Sequence, residues 1–177
     1  MSTKLNYKVL EIKFISSELF SLKLERGNFN FEPGQCFSIG VSSLSVNREY
    51  SVYSRPSDDF LEFYIRLVED GCLTPHLARL KKDDQVTLNG PFGSFSPSKN
   101  ELNKFHYFIA TGTGIAPFNS IIGSFPNLNF KLLHGLRYEN EVPKNQFSNK
   151  INYLPCFSKA KDLKIRRRVT DYLNKNN

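Results

Sequence analysis

Near residue 100 the rhythm of apolar residues in this 177-residue chain changes, and the change limits the folds open to it. Before that point, apolar and polar residues alternate in short runs, the pattern of strands with one buried face. Phe20, Leu22 and Leu24 alternate with Ser21 and Lys23, and strand-like runs begin as early as Leu5. After the Pro33-Gly34 turn, Phe37, Ile39 and Val41 resume the pattern, and another extended segment follows at 48 to 54. Leu61, Phe63, Ile65 and Leu67 alternate with Glu62, Tyr64 and Arg66, and Val86 and Leu88 give a last short strand before Gly90-Pro91-Phe92-Gly93. Six or so strands at short, regular spacing predict a closed antiparallel barrel or a sandwich. Beyond the polar linker Pro97 to Asn103, Lys104 to Ala110 is a nearly continuous apolar and aromatic run. That run predicts a parallel strand covered on both faces, and so an α/β arrangement.

Size and composition set the outer bounds. A chain of this length with 40 % hydrophobic residues can bury a core, as one medium or two small domains. Its 24 basic and 17 acidic residues give a net charge of +7, which favours an acidic partner, nucleic acid or an anionic ligand without choosing among them. Cys36, Cys72 and Cys156 are odd in number and widely spaced, with no C-x-x-C pair, which argues against a disulfide framework or zinc. The first residues, MSTKLNYKVLEIKF, contain no continuous apolar core, and no stretch approaches a membrane span. The expectation is a soluble cytoplasmic protein with reduced thiols and no membrane attachment.

Two stretches carry chemistry. In REYSVYS, residues 48 to 54, strand geometry puts Arg48 and Tyr50 on one face about 7 Å apart, while Ser51 points away unless the strand bends. A guanidinium suits bidentate phosphate capture and an aromatic ring stacks on a planar heterocycle. An ordinary strand with Arg outside and Tyr half-buried fits the same residues. Further on, Thr74 is a good N-cap and Pro75 suits the first position of a short helix, with Leu77 and Leu80 as its apolar stripe. Preceded by Gly71, its free amides would attract an anion, although a plain connector helix reads equally well. The second stretch, Thr111-Gly112-Thr113-Gly114-Ile115-Ala116-Pro117-Phe118, runs straight on from the apolar strand. Strand, glycine loop and helix start present backbone N–H groups to a phosphate, yet the spacing is not G-x-G-x-x-G, since Phe118 stands where the third glycine is expected. Two further strands follow, Asn129 to His134 and Ile151 to Phe157, then a helical-looking Val169 to Leu173. Arg137, Lys159 and Arg168 lie past strand ends, where open α/β sheets bind ligands; a solvated basic face is the alternative.

REYS at 48 to 51, LEFYIRLVEDGCLTPHLARL at 61 to 80, GPFGSF at 90 to 95 and GTGIAPF at 112 to 118 together resemble the ferredoxin–NADP reductase family, in particular its bacterial ferredoxin/flavodoxin reductases. The similarity extends through HGLRYENE at 134 to 141 to the region SK…RRRVTDYL. It implies an FAD-binding Greek-key β-barrel over residues 1–100 and a shortened, parallel-sheet NADP-binding α/β domain over 101–177. By this resemblance Arg48 binds flavin phosphate, Tyr50 stacks on the isoalloxazine and Ser51 hydrogen-bonds near its reactive N5. Ile65, Leu67 and Val68, with Gly71, Leu73 and Thr74, complete the FAD site. Thr111, Gly112, Thr113 and Gly114 receive the NADP pyrophosphate and nicotinamide end. Arg137 and Arg168 stand where the bacterial enzymes bind the 2′-phosphate, and Lys159 replaces a third arginine, keeping charge but losing the bidentate fork.

Members of this family continue beyond the point matching Asn177 with a strand carrying C-G-x-P, a helix and a terminal aromatic residue over the flavin. The expectation is therefore a minimal or partly altered NADP domain, with a sheet edge that is exposed, covered, or paired with a second copy in a homodimer. The implied activity is hydride transfer from NADPH to flavin N5 and single-electron delivery to an acidic carrier, ferredoxin or flavodoxin. The cofactor supplies that chemistry, so no acid–base residue is obligatory. Two other readings stand beside it: a flavoprotein carrier or flavin reductase with weak NADPH use, and a non-enzymatic binding module. Nucleic acid is not the expected partner, because the aromatics fall inside a flavin motif and form no evident stacking platform.

Overall fold

The computed structural model describes residues 5–143 and 152–175. The chain forms two compact units with boundaries at Ser96/Pro97, Ile115/Ala116 and Pro126/Asn127, so that Ala116–Pro126 returns to the first. Among the described residues no helix is long and apolar enough to cross a membrane.

The first unit contains β1 (Leu5–Ser16), β2 (Leu19–Glu25), β3 (Cys36–Gly40), β4 (Asn47–Ser51), β5 (Phe60–Arg66) and β6 (Gln85–Phe92). They form one sheet in the order β4-β3-β6-β1-β2-β5. All its ladders are antiparallel, and β3–β6, β6–β1 and β2–β5 are neighbours that skip in sequence, as in a Greek key. The alternation of β5 is realised in its burial: Leu61, Phe63 and Ile65 are closed to solvent, while Glu62, Tyr64 and Arg66 are only half-buried. Phe20, Leu22, Phe37 and Ile39 fill the same interior, where Phe37 meets Phe29 edge-on at 4.9 Å and Phe63 at 6.2 Å. Burying each such side chain contributes about 1.5–3 kcal/mol. A partly exposed ion pair such as Arg66–Glu18, at 2.8 Å, contributes roughly 0–1 kcal/mol, so packing holds this unit together.

Helix α1 (Thr74–Arg79) adds Leu77, and Leu73 before it, to that core. The capping expectation needs correction. Leu73 occupies the N-cap and Thr74 is the first helical residue. The Thr74 hydroxyl turns back to the preceding loop, accepting from Val68 N at 2.9 Å and donating to Val68 O at 3.2 Å. Helix α2 (Ala116–Ser124) belongs to this unit too; Asn119 Nδ2 donates to Tyr53 O at 2.6 Å and the Phe118 ring meets Phe95 at 5.6 Å.

The second unit contains β7 (Phe105–Thr111), β8 (Asn129–Leu136), β9 (Tyr153–Phe157) and helix α3 (Val169–Lys175). The three strands are parallel in the order β7-β8-β9. Ile151, the expected start of the last strand, lies outside the described residues. Leu133 and Cys156 are fully buried under Val169, with Tyr172 and Leu173 of α3 packed alongside. The expectation that β7 is covered on both faces is not met. Phe108 and Ala110 are buried, but Phe105, Tyr107 and Ile109 on the other pleat are 50, 61 and 47 % exposed. β7 is an edge strand with β8 on one side, and among the described residues no strand pairs with its outer edge.

Candidate functional site

In the first unit the two edge strands of the sheet, β4 and β5, approach each other without forming a ladder. They touch at an isolated antiparallel bridge between Val52 and Phe63, where Tyr53 N donates to Glu62 O at 2.7 Å. Carrying that register back along β4 puts Tyr50 opposite Ile65 and Arg48 opposite Leu67, along a seam where no ladder joins the two strands. Period two decides which groups look into it. Tyr50 and Arg48 pair with Phe37 and Ile39 of β3, both fully buried, so all four share the inner face. Tyr50 is half-buried against the core, whereas Arg48 is exposed at the opening.

The Arg48 guanidinium donates through Nη1 to the Asn47 carbonyl at 2.9 Å, and among the described residues no carboxylate pairs with it. Burial pushes the Tyr50 hydroxyl above its ordinary pKa while the charge of Arg48 pulls it down, which keeps the phenol protonated and the ring neutral. Ser51 closes β4 opposite Cys36, on the other pleat from Arg48 and Tyr50. Ile65 and Leu73 turn their side chains into the core, Leu67 is partly buried against it, and Val68 is 55 % exposed. Past the end of β5 the chain folds into a tight loop in which Gly71 N donates to Val68 O at 2.9 Å. A Cβ on Gly71 would stand 2.9 Å from that oxygen and 3.1 Å from the Val68 Cβ, so only glycine fits. Thr74 spends its hydroxyl on locking this loop; in the first turn of α1 Pro75 has no N–H and His76 N donates to Leu73 O at 3.0 Å.

In the second unit, β7 ends at Thr111 and a 3₁₀ turn, Gly112–Ile115, leads on into α2. Gly112 has φ +51°, a conformation costly for residues with a side chain. Gly114 differs, because its φ is ordinary and a Cβ there would meet nothing within 4 Å. Protein packing does not require that glycine, and its effect is to leave bare backbone beside Thr111 and Thr113. Beneath the loop, His134 of β8 is 1 % exposed, with Nε2 2.8 Å from Gly112 O and Nδ1 2.8 Å from the Tyr153 hydroxyl. Burial lowers its pKa to about 4.

At the carboxyl ends of the strands, Lys159 N donates to Arg137 O at 2.9 Å, which sets these two exposed cations side by side. Arg137 N in turn donates to Glu141 Oε2 at 2.7 Å. Arg168 lines a hollow of about 210 Å³ with Ser158, Arg166, Arg167 and Asp171. The Asp171 carboxylate accepts from the Arg168 backbone N–H at 2.7 Å, and Arg166 Nε donates to Ser158 O at 3.1 Å. Ser158, Arg166 and Arg167 were not singled out from sequence as site residues; the R-R-R run was their signal, but a run does not show which members converge.

A guanidinium with no carboxylate partner among the described residues, next to a half-buried aromatic ring, has the chemistry that a phosphate and a flat ring require. Residues 6–96, more than half of the chain, match the family model of the oxidoreductase FAD-binding domain, and the chain belongs to that family. The resemblance to ferredoxin–NADP reductases read from its motifs is borne out by relatives bearing that name. A ferredoxin–NADP reductase of Azotobacter vinelandii is 35 % identical over 149 residues, covering 79 % of this chain and 57 % of its own length. A flavodoxin/ferredoxin–NADP reductase of Escherichia coli is 33 % identical over 142 residues, covering 76 % of this chain and 57 % of its own. A solved ferredoxin NADP+ reductase from Neisseria gonorrhoeae with bound FAD and NADP has a TM-score of 0.85 at 22 % identity, covering 99 % of this chain and 78 % of that one, which shows the shared fold. The chain thus spans less than two thirds of the length of the two relatives matched by sequence.

Proposed function

We propose that this chain is a ferredoxin–NADP reductase-like flavoenzyme, moving electrons between NADPH and a one-electron carrier, ferredoxin or flavodoxin. The observation that carries the reading is the unladdered seam, where Arg48 and Tyr50 share the inner face of β4 and that strand meets β5 at a single bridge. When bound there, FAD supplies the redox chemistry, exchanging a hydride with nicotinamide and single electrons with the carrier. Arg48 holds flavin phosphate by charge-assisted hydrogen bonds. Tyr50 offers a neutral ring for stacking, and Ser51 offers a hydroxyl near the reactive edge of the flavin. The segment Ile65, Leu67 and Val68 lines the seam largely through its backbone, because the Ile65 side chain is spent on the core. Gly71, whose own N–H is taken by Val68 O, shapes the tight loop, and Leu73 and Thr74 offer their backbone amides to the pyrophosphate.

NADPH fits the second unit by the same logic. Thr111, Gly112, Thr113 and Gly114 offer bare backbone to its pyrophosphate and nicotinamide end, and Arg137, Lys159 and Arg168 offer cations to its 2′-phosphate. The functional division follows as an FAD domain over 1–100 and an NADP domain over 101–177. The basic excess of the chain suits an acidic carrier, whose docking weakens with salt. Three free thiols agree with a cytoplasmic setting. The outer edge of β7, which no strand pairs with among the described residues, is where a second copy would add its strand in a homodimer.

The test is spectroscopic. Purified protein mixed with FAD should retain a bound flavin spectrum, and anaerobic NADPH should bleach it far faster than it bleaches free FAD. Protein that stays colourless after FAD addition and desalting would remove the proposal.

A further inference from the structure

We infer that His134 and Tyr153 form a positioning pair that aims the glycine loop, fixing the peptide between Gly112 and Thr113 so that its N–H faces outward toward a nucleotide. The inference rests on the proposed role of that loop in binding NADP, and it adds a device two strands away to a site otherwise made of backbone. The pair is held by the parallel register, in which His134 lies opposite Ala110 of β7 and Pro155 of β9. Tyr153 is itself 7 % exposed, so neither ring has water as a ready alternative partner.

The direction of both hydrogen bonds follows from chemistry. Gly112 O can only accept, so the 2.8 Å contact requires a proton on Nε2. The buried ring is neutral at physiological pH, since burial outweighs both the Gly112 bond and the nearby Glu141 carboxylate, which favour the charged form. A neutral ring carries one proton, so Nδ1 is left as an acceptor and the Tyr153 hydroxyl donates to it across 2.8 Å. Tyr153 thereby selects the tautomer that His134 needs to hold the loop.

What is held matters because the trans peptide is planar. With the Gly112 carbonyl pointing to His134, the N–H of Thr113 in the same plane points the opposite way. Thr113 is in the first turn of the 3₁₀ segment Gly112–Ile115, where an N–H has no acceptor within the helix. Gly112 has φ +51°, and glycine visits many conformations, so this plane would turn freely without the bond beneath it. His134 thus restrains the most pliable residue of the loop.

The test compares His134→Gln, His134→Leu and Tyr153→Phe in the full chain loaded with FAD. Gln carries an Nε2 donor at similar reach, whereas Leu keeps bulk and no donor. We expect His134→Leu to weaken NADP+ binding about tenfold by calorimetry and, without nucleotide, to speed hydrogen exchange at the Gly114 and Ile115 amides that the 3₁₀ turn engages. Tyr153→Phe should move both readings part of the way, and His134→Gln should restore both to within about twofold. A His134→Leu protein with unchanged exchange and affinity would overturn the inference. So would a His134→Gln protein that behaves like His134→Leu at equal melting temperature, which would mark a merely structural histidine. If the unaltered protein binds no NADP+, the functional reading fails, and the exchange comparison still decides whether the pair aims the loop.

Discussion

Arg48 lies on the inner face of an edge strand, opposite a fully buried isoleucine, and still reaches solvent. A solvated cation on that face with no carboxylate partner among the described residues adds little to the strand's stability, because its charge meets no opposite charge there. Replacing it should therefore disturb the ligand and spare the protein. Arg48→Ala should lower FAD affinity by about 10- to 100-fold, the loss of a charge-assisted bond, with far-ultraviolet circular dichroism and unfolding midpoint of the apoprotein unchanged. Ser120 presents the opposite case. It is fully buried in α2, and its hydroxyl has no hydrogen-bond partner among the described residues. Ser120→Ala removes a desolvated group and introduces a better helix former, so denaturant unfolding should show a gain of roughly 1 kcal/mol.

At the scale of elements, the strand–turn–helix containing Gly112 and Gly114 separates what the fold needs from what a ligand needs. Gly114→Ala meets no atom within 4 Å, so its melting temperature should match or exceed that of the unaltered protein while its apparent constant for NADPH rises several-fold. A fall in stability would show that the glycine serves the fold. The strand-end cations make a second prediction: Arg137→Ala and Arg168→Ala should raise the apparent constant for NADPH much more than that for NADH, and equal effects would refute the 2′-phosphate assignment. Much of this was legible in the chain, because alternation at period two is a local property that β2, β3 and β5 display residue by residue. The same locality explains the failures. The apolar run in β7 reads as doubly covered, yet covering depends on neighbours, and Phe105, Tyr107 and Ile109 lie exposed on an edge strand that pairs only with β8 among the described residues. Thr74 has the composition of a cap, but Val68 competes for its hydroxyl and wins. His134 and Tyr153 are 19 residues apart, and only the β8–β9 register brings their rings together.

For the whole molecule, the seam between β4 and β5 is the feature sequence could least disclose, since no local pattern records whether the margins of a sheet will meet. The two strands are joined there by one bridge at Val52 and Phe63, with no ladder along the rest of their length. A ligand that binds only the folded chain stabilises it by mass action, by about 2.7 kcal/mol at a hundredfold excess over the dissociation constant. Melting temperature should accordingly climb with the concentration of added FAD, and in Arg48→Ala the climb should begin only at much higher concentrations. Newly made chains that find no flavin would spend more of their time with β4 and β5 parted, within reach of proteases. The vitamin supply of the cell, through this one unsewn join, would then set how much of the protein survives.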